Sequence, residues 1–139
     1  MNDRPHAPDL LKAARDAFSA EILPALPEAL RYTGLMVAHA VAIAAREIAA
    51  GEAPARAECE RLQKLLSERV EPLASNALQR ALASYNQRLV NEIRSGRFDG
   101  EERGAMLEHL HQTTEEKLAV SNPKALQGEN TSRIPKHRI

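Results

Sequence analysis

The residues best suited to chemistry lie in 108–124, "EHLHQTTEEKLAVSNPK". Glu108 and His111 are three residues apart and share one face of a helix. His109 and His111, in contrast, lie about 200° apart around the helix axis and cannot bind one metal ion together. A di-iron bundle takes Glu-x-x-His from two helices, and the sequence contains no second Glu-x-x-His. We therefore interpret the segment as the solvated face and end of a helix, with a weak surface pair between His111 and Glu115.

His39 and Arg46 are the candidate ligand-binding residues. His39 interrupts the longest nearly apolar run, "GLMVAHAVAIAA". An imidazole in such a run is typical of a buried histidine that hydrogen-bonds a neighbouring helix, and the alternative is a polar group that lines a ligand pocket. Arg46 follows near the end of the same predicted helix. An arginine can bind a phosphate or a carboxylate, although an ordinary ion pair is its commoner role.

The familiar catalytic and cofactor motifs are absent from the sequence. It has no P-loop, dinucleotide fingerprint, Gly-x-Ser-x-Gly elbow or zinc-helix motif. We therefore assign no catalytic residue, metal ligand or cofactor. The 19 basic and 19 acidic residues cancel, and aromatic residues make up 3% of the chain. Neither a positive field for phosphates nor a set of stacking rings is present, which disfavours nucleic acid as a partner.

The single cysteine and the N-terminal sequence predict a cellular location. Cys59 alone cannot form an intramolecular disulfide or an all-thiolate zinc site, and this fits a reducing cytoplasm. The start, "MNDRPHAPDLL", has acidic residues and prolines and does not resemble a signal peptide. The apolar run around His39 is shorter than the about 20 residues that span a bilayer. We expect a soluble, cytoplasmic protein without a membrane partner.

Apolar periodicity and cap signals predict five helices and no strand. The helices cover about residues 8–23, 28–50, 54–71, 73–95 and 99–122. Gly51 and Gly96 end the second and fourth, and Asp99-x-x-Glu102 is a capping box for the fifth. These elements predict an all-α fold, a four- or five-helix antiparallel bundle. Residues 1–123 would form a single helical domain and 124–139 a flexible, disordered basic tail.

Apolar stripes at helical spacing predict the buried faces. The stripes are Cys59, Leu62, Leu66 and Val70 on the third helix; Leu78, Leu82, Tyr85, Leu89 and Ile93 on the fourth; and Leu107, Leu110, Thr114 and Leu118 on the fifth. We expect Cys59 to be a small core residue, and Tyr32 and Tyr85 to be core residues whose hydroxyls reach a polar partner. The second helix is apolar on two sides, which predicts a central helix and, because so much apolar surface needs cover, a homodimer.

Several segments together resemble one family. They are "DRPHAPDLLKAARDAF", "EILPALPEALRY", "VAIAAREIAAG", "IRSGRFD" and "KLAVSNPKAL", and they span roughly residues 3–126. These segments are similar to a small bacterial family of unknown function. Its members are associated, by gene neighbourhood or fusion, with aminoglycoside-phosphotransferase-like kinases and acyl-CoA dehydrogenases. The resemblance implies a role beside such an enzyme in acyl-CoA breakdown, and it supplies no catalytic residues.

Two functions follow from these observations. The first is a non-catalytic accessory or interaction module for a phosphotransferase-like kinase or an acyl-CoA-metabolising enzyme, favoured by the missing motifs and by the resemblance. The alternative is a small-molecule module that binds an acyl-CoA-like ligand in a pocket near His39.

Overall fold

Helices dominate the computed structural model, which describes residues 5–128. The α-helices are α1 (Ala7–Ala17), α2 (Glu28–Ala50), α3 (Ala53–Leu65), α4 (Ser75–Arg94), α5 (Arg103–Ser121) and α6 (Pro123–Gly128). A π-helical turn (Phe18–Ile22) and a 3-10 turn (Leu23–Ala25) follow α1, and a second 3-10 turn (Arg97–Asp99) precedes α5. No strand occurs within residues 5–128, so the all-α prediction is confirmed for this part of the chain.

The chain divides into two compact units. The N-terminal unit ends at Gly51 and the C-terminal unit begins at Glu52. A single domain over residues 1–123 and an antiparallel bundle of the whole chain therefore stay predictions. The tail predicted to begin at residue 124 is helical in α6 as far as Gly128, and residues 129–139 lie outside the described part of the chain.

The N-terminal unit is a hairpin in which α1 packs against α2. Its turn contains Pro24 and Pro27. Pro24 cannot donate a backbone hydrogen bond. Just before it, the helix changes to the π-helical hydrogen-bond pattern, in which the amide of Leu23 bonds the carbonyl of Phe18, five residues back. Helix α2 then begins at Glu28 and ends before Gly51, whose φ is +60°. Both bounds match the prediction. Gly34 lets the turn come close, because a Cβ there would meet a methyl carbon of Leu23 at 2.7 Å.

The N-terminal unit buries very little. Gly34 and Ala42 are the buried residues of α2, and α1 has none. Gly34 lies against the turn, where Leu23 and Leu26 are its nearest side chains, and Val41 and Ile43 are partly buried. The prediction that α2 is a central, covered helix is therefore wrong. Tyr32, predicted to be a core residue, is 74% exposed for the same reason.

The hydrophobic core lies in the C-terminal unit, where α3 packs against both α4 and α5. Its buried members are Cys59, Leu62, Leu66, Leu78, Leu82, Leu89, Phe98 and Met106. The stripe predicted for α4 is confirmed, with Tyr85 and Ile93 partly buried against this core. The hydroxyl of Tyr85 accepts a hydrogen bond from Gln63 Nε2 at 3.4 Å. Cys59 is a buried core residue as predicted, and burial raises the pKa of its thiol.

Arg97 ties the C-terminal end of α3 to the start of α5. Its Nε contacts Glu102 Oε2 at 3.2 Å, and its Nη1 pairs with Glu92. Its Nη2 donates to Ser67 Oγ at 3.3 Å, and the guanidinium lies over the Phe98 ring, 5.3 Å from the centroid. Glu102 therefore serves an ion pair. The capping box predicted from Asp99 is wrong, because Asp99 ends a 3-10 turn and α5 begins at Arg103.

Candidate functional site: a cavity around His109

A cavity of about 420 Å³ lies between α3 and α5 in the C-terminal unit. Helix α3 and the residues just after it contribute Arg61, Lys64, Leu65 and Ser67 to its wall. Helix α5 and its N-cap contribute Glu102, Ala105, Glu108, His109 and Gln112. Both walls belong to the same unit, and volumes of roughly 300–1,000 Å³ are typical of sites for small molecules.

His109 is the most deeply buried polar residue of this wall, with 5% of its surface exposed. Neither ring nitrogen, Nδ1 or Nε2, has a hydrogen-bond partner among the described residues. A buried polar group without a partner is rare in folded proteins and needs an explanation. Burial lowers the pKa of His109, and the nearby positive charge of Arg61 lowers it further. The imidazole is therefore neutral at pH 7, with one nitrogen able to donate and the other able to accept.

The register of α5 brings His109 inside. Its buried residues are Met106, His109 and Thr113, which recur at helical spacing. The predicted face is shifted by one residue and is wrong: Leu107 is 50% exposed and Leu110 is 39% exposed. The apolar residues of α5 are distributed around the whole helix, so their pattern does not predict which side is buried. The interpretation of 108–124 as a solvated face is accordingly wrong for His109.

Arg61 fixes the floor of the cavity by joining α3 to α5. Its Nη1 and Nη2 donate to the two carboxylate oxygens of Glu116 at 3.0 and 2.7 Å. Nη2 also donates to Thr113 Oγ1 at 3.3 Å. A two-pronged pair of this kind restricts both direction and distance, so it aligns the two helices as well as attracting them. Arg61 Nε is buried and, like the His109 ring, has no partner in the described range.

Ser67 lies at the edge of the cavity in an unusual backbone conformation. Its φ is +57°, which residues other than glycine rarely adopt. The amides of Ser67 and Glu68 bond the carbonyls of Lys64 and Gln63, at 3.1 and 2.8 Å, so Ser67 takes the left-handed position that ends α3. Glycine is the usual residue there. The serine hydroxyl accepts the bond from Arg97 and makes none with His109 in the described structure.

The cavity wall forms no serine–histidine pair among the described residues. A serine–histidine nucleophile requires a hydrogen bond between hydroxyl and imidazole and a third group that orients the imidazole. Both ring nitrogens of His109 are unpartnered, so neither requirement is met in the described residues. No group of three histidine, cysteine, aspartate or glutamate side chains within residues 5–128 is arranged to hold a metal ion. The cavity wall offers hydrogen bonds and charges to a bound molecule.

The predicted ligand residues lie in the other unit. His39 is exposed on α2, so the interpretation as a buried, hydrogen-bonded histidine is wrong. Arg46, seven residues later and on the same side of the helix, is partly buried. In contrast, His111 is on the surface of α5 with its Nδ1 3.7 Å from Glu115 Oε1, which confirms the predicted weak pair. A ligand pocket near His39 and Arg46 stays a prediction.

Helix α2 presents a second feature, an extensive apolar exterior. We define the α2 surface as its large apolar side chains that are at least about half exposed: Leu30, Tyr32, Leu35, Met36, Val37 and Ile48. An 18-residue stretch within α2 has a mean hydropathy of 1.3, and 6% of that stretch is buried. Its length and composition alone would allow it to cross a membrane, a test that core helices and signal sequences also pass. The two apolar sides predicted for α2 are therefore exposed at these six residues, whereas Val41 and Ile43 are partly buried.

Sequence reasoning missed His109 and Arg61. The available signal was the helical spacing of Met106, His109 and Thr113, which places the histidine and the threonine on the same side of α5 as the methionine. A second signal was Arg61, which lies on α3 beside the core residue Leu62. Neither signal shows that α3 and α5 are neighbours, and the cavity exists only because they are.

The comparisons with known proteins place the chain without assigning an activity. No match was found among curated proteins or among solved structures. One family model matches residues 24–125, and its description is "Domain of unknown function (DUF6285)". The matched range takes in α2 to α5 with the turns between them and ends within α6. Because the match extends over well more than half of the sequence, the chain belongs to this family.

Proposed function

We propose that the protein is a non-catalytic interaction module, with the α2 surface as its docking element. The observation that carries the proposal is the exposure of the α2 surface, whose six large apolar side chains lie on one 23-residue helix. Leu30, Val37 and Ile48 form one strip along α2, and Tyr32, Leu35 and Met36 lie on another side of the helix. Exposed apolar strips on soluble proteins typically mark interaction sites. The N-terminal unit has only Gly34 and Ala42 buried on α2, so it supplies little cover of its own.

The occupant we propose is the α2 surface of a second copy of the chain. A two-fold symmetric dimer brings the same strip of both copies together, here the strip of Leu30, Val37 and Ile48, so any charge on the strip meets the same charge of the partner. Between Arg31 and Arg46 the sequence of α2 contains no charged residue. Self-pairing therefore costs no like-charge repulsion along this stretch. Two helical hairpins joined in this way would give a four-helix bundle with an interior that neither hairpin has alone.

The enzyme that such a dimer would serve is proposed on the resemblance alone. The resemblance implies a phosphotransferase-like kinase or an acyl-CoA dehydrogenase in the cytoplasm. A dimeric accessory protein presents two identical surfaces and so gains affinity for a dimeric or clustered partner. Titration of each purified enzyme with the protein tests this step separately. If neither enzyme binds, the enzyme context is withdrawn and the dimer is judged on its own measurement.

Analytical ultracentrifugation over a range of concentrations tests the dimer. We expect the wild-type chain to be a dimer and Val37→Glu to be a monomer of unchanged helicity. Val37 is 48% exposed and lies in the middle of the uncharged stretch, so a glutamate there puts two buried charges across the two-fold axis. The matched control is Val90→Glu, a valine on α4 that is 40% exposed, and we expect it to remain a dimer.

Three results would overturn the proposal. They are a wild-type monomer at every concentration, equal dissociation of the Val37→Glu and Val90→Glu variants, and a wild-type protein that requires detergent to stay in solution. The last result, with binding to phosphatidylcholine vesicles, would assign the α2 surface to a lipid phase. The hydropathy of α2 makes this measurement necessary.

The alternative function is a binding module for an acyl-CoA-like ligand near His39 and Arg46. A thermal-shift screen against CoA, acyl-CoAs of several lengths and ATP with Mg²⁺ tests it. A ligand at 100 times its dissociation constant stabilises a protein by about 2.7 kcal/mol. A shift that His39→Ala abolishes would support the alternative, and no shift with any of these ligands would reject it.

A further inference from the structure

We propose that the cavity around His109 binds a small zwitterion, a molecule of the α-amino-acid class. The cavity belongs to the C-terminal unit, and the proposal uses none of the observations on the α2 surface. It rests instead on three features of the cavity wall: an unpartnered buried imidazole, one unpaired charge of each sign, and a short apolar strip.

The imidazole supplies the first argument for a ligand. His109 is 95% removed from solvent, yet both its nitrogens lack partners among the described residues, and both belong to a side chain that lines the cavity. A leucine or methionine at this position would fill similar space without leaving two polar atoms unbonded. The two ring nitrogens themselves have almost no accessible surface. The histidine is explained if wall residues move aside so that a carboxyl, amide or hydroxyl group of a ligand bonds one of the two nitrogens.

The charges of the wall define the chemical class. Arg61 is neutralised by Glu116, and Glu102 is neutralised by Arg97. Lys64 and Glu108 remain, on facing helices, and they form no ion pair with each other or with any other described residue. One free ammonium group and one free carboxylate suit a ligand that carries the opposite pair. A phosphate or a coenzyme tail would place several negative charges beside the unpaired Glu108, so multiply charged anions are disfavoured.

The remaining wall residues fit the rest of such a molecule. Leu65 and Ala105 give an apolar strip that an aliphatic side chain can cover, and Gln112 gives an amide at the opposite end of the α5 wall. The volume of about 420 Å³ is sufficient for a molecule of this size. The features together describe a free amino acid or a close relative.

Titration of the full chain with each of the twenty amino acids tests the proposal. Binding is followed by two-dimensional amide NMR and by the ¹⁵N shifts of the His109 ring, which report whether the ring nitrogens gain hydrogen bonds. We expect at least one amino acid to bind with saturation and to move the ring shifts. His109→Leu, Lys64→Met and Glu108→Gln should each weaken that binding about tenfold or more. The matched control is His111→Leu, an exposed histidine two residues away, and it should bind as the wild type does.

Lys64 and Glu108 are exposed, so their variants keep the test valid even if His109→Leu fails to fold. Two results would overturn the proposal. One is the absence of saturable binding for all twenty amino acids. The other is binding that His109→Leu, Lys64→Met and Glu108→Gln leave as strong as in the control.

Discussion

Replacing His109 by leucine should stabilise the protein in the absence of any ligand. A buried polar group that lacks its hydrogen bond costs about 1–3 kcal/mol. His109 is 5% exposed with both ring nitrogens unpartnered among the described residues. Leucine removes these polar atoms and keeps an apolar side chain of similar size at the position. We expect the free energy of unfolding to rise by about 1–2 kcal/mol, which corresponds to a midpoint roughly 3–8 °C higher.

Urea unfolding at pH 7.5, followed by circular dichroism, measures this change. The control is His111→Leu, in which the same substitution is made at an exposed position on the other side of α5, and its change should stay within about 0.5 kcal/mol. A loss of stability greater than about 1 kcal/mol in His109→Leu would refute the reasoning, because it would mean that the folded chain itself satisfies the imidazole. A stabilised variant that no longer binds a ligand would identify a residue kept for function at a cost in stability.

Three further predictions follow from individual residues. The pKa of His109 is lowered in the folded state, so the unfolded chain takes up the proton first, and stability should fall as pH drops below about 6.5. That part of the pH dependence should be missing in His109→Leu unfolding curves, and equal slopes would contradict the burial argument. Gly34→Val should cost about 1–3 kcal/mol, because its Cβ meets two leucine methyl groups at 2.7 Å, whereas Gly104→Val, with nothing within 4 Å, should be nearly neutral in the same thermal unfolding assay. Ser67→Gly should gain about 0.5–1 kcal/mol by relieving the left-handed backbone, and Ser67→Ala should gain nothing; equal results for the two would remove backbone strain as the cause.

Predictions from the sequence were accurate where local signals agreed. Helix α2 begins at Glu28 and ends before Gly51 as predicted, because a proline on one side and a glycine on the other act through backbone geometry alone. The α4 stripe from Leu78 to Ile93 is also correct, since its apolar residues lie on one side and its polar residues on the other. Both signals are contained within one element, so they do not depend on the neighbours of the helix.

Predictions failed where a neighbouring helix decides the outcome. On α5, Leu107 and Met106 compete for the interior, and the methionine is inside, on a helix that the paired hydrogen bonds between Arg61 and Glu116 join to α3. The pairing joins residues 55 positions apart in the sequence. On α2, apolar residues on two sides suggested a covered helix, but hydropathy does not say what covers it.

The uneven distribution of buried residues has a consequence for how the chain opens. Amides open locally with free energies that range from near zero in weakly packed segments to the global value in a core. The α1–α2 hairpin, with Gly34 and Ala42 as the buried residues of α2, should therefore exchange its amide hydrogens much faster than the segments around Leu62 and Leu78. If the α2 surface is the docking element, docking also stabilises this hairpin against local opening, and the two processes are coupled. Deuterium uptake along α2 then becomes a measure of how much of the protein is engaged at any moment.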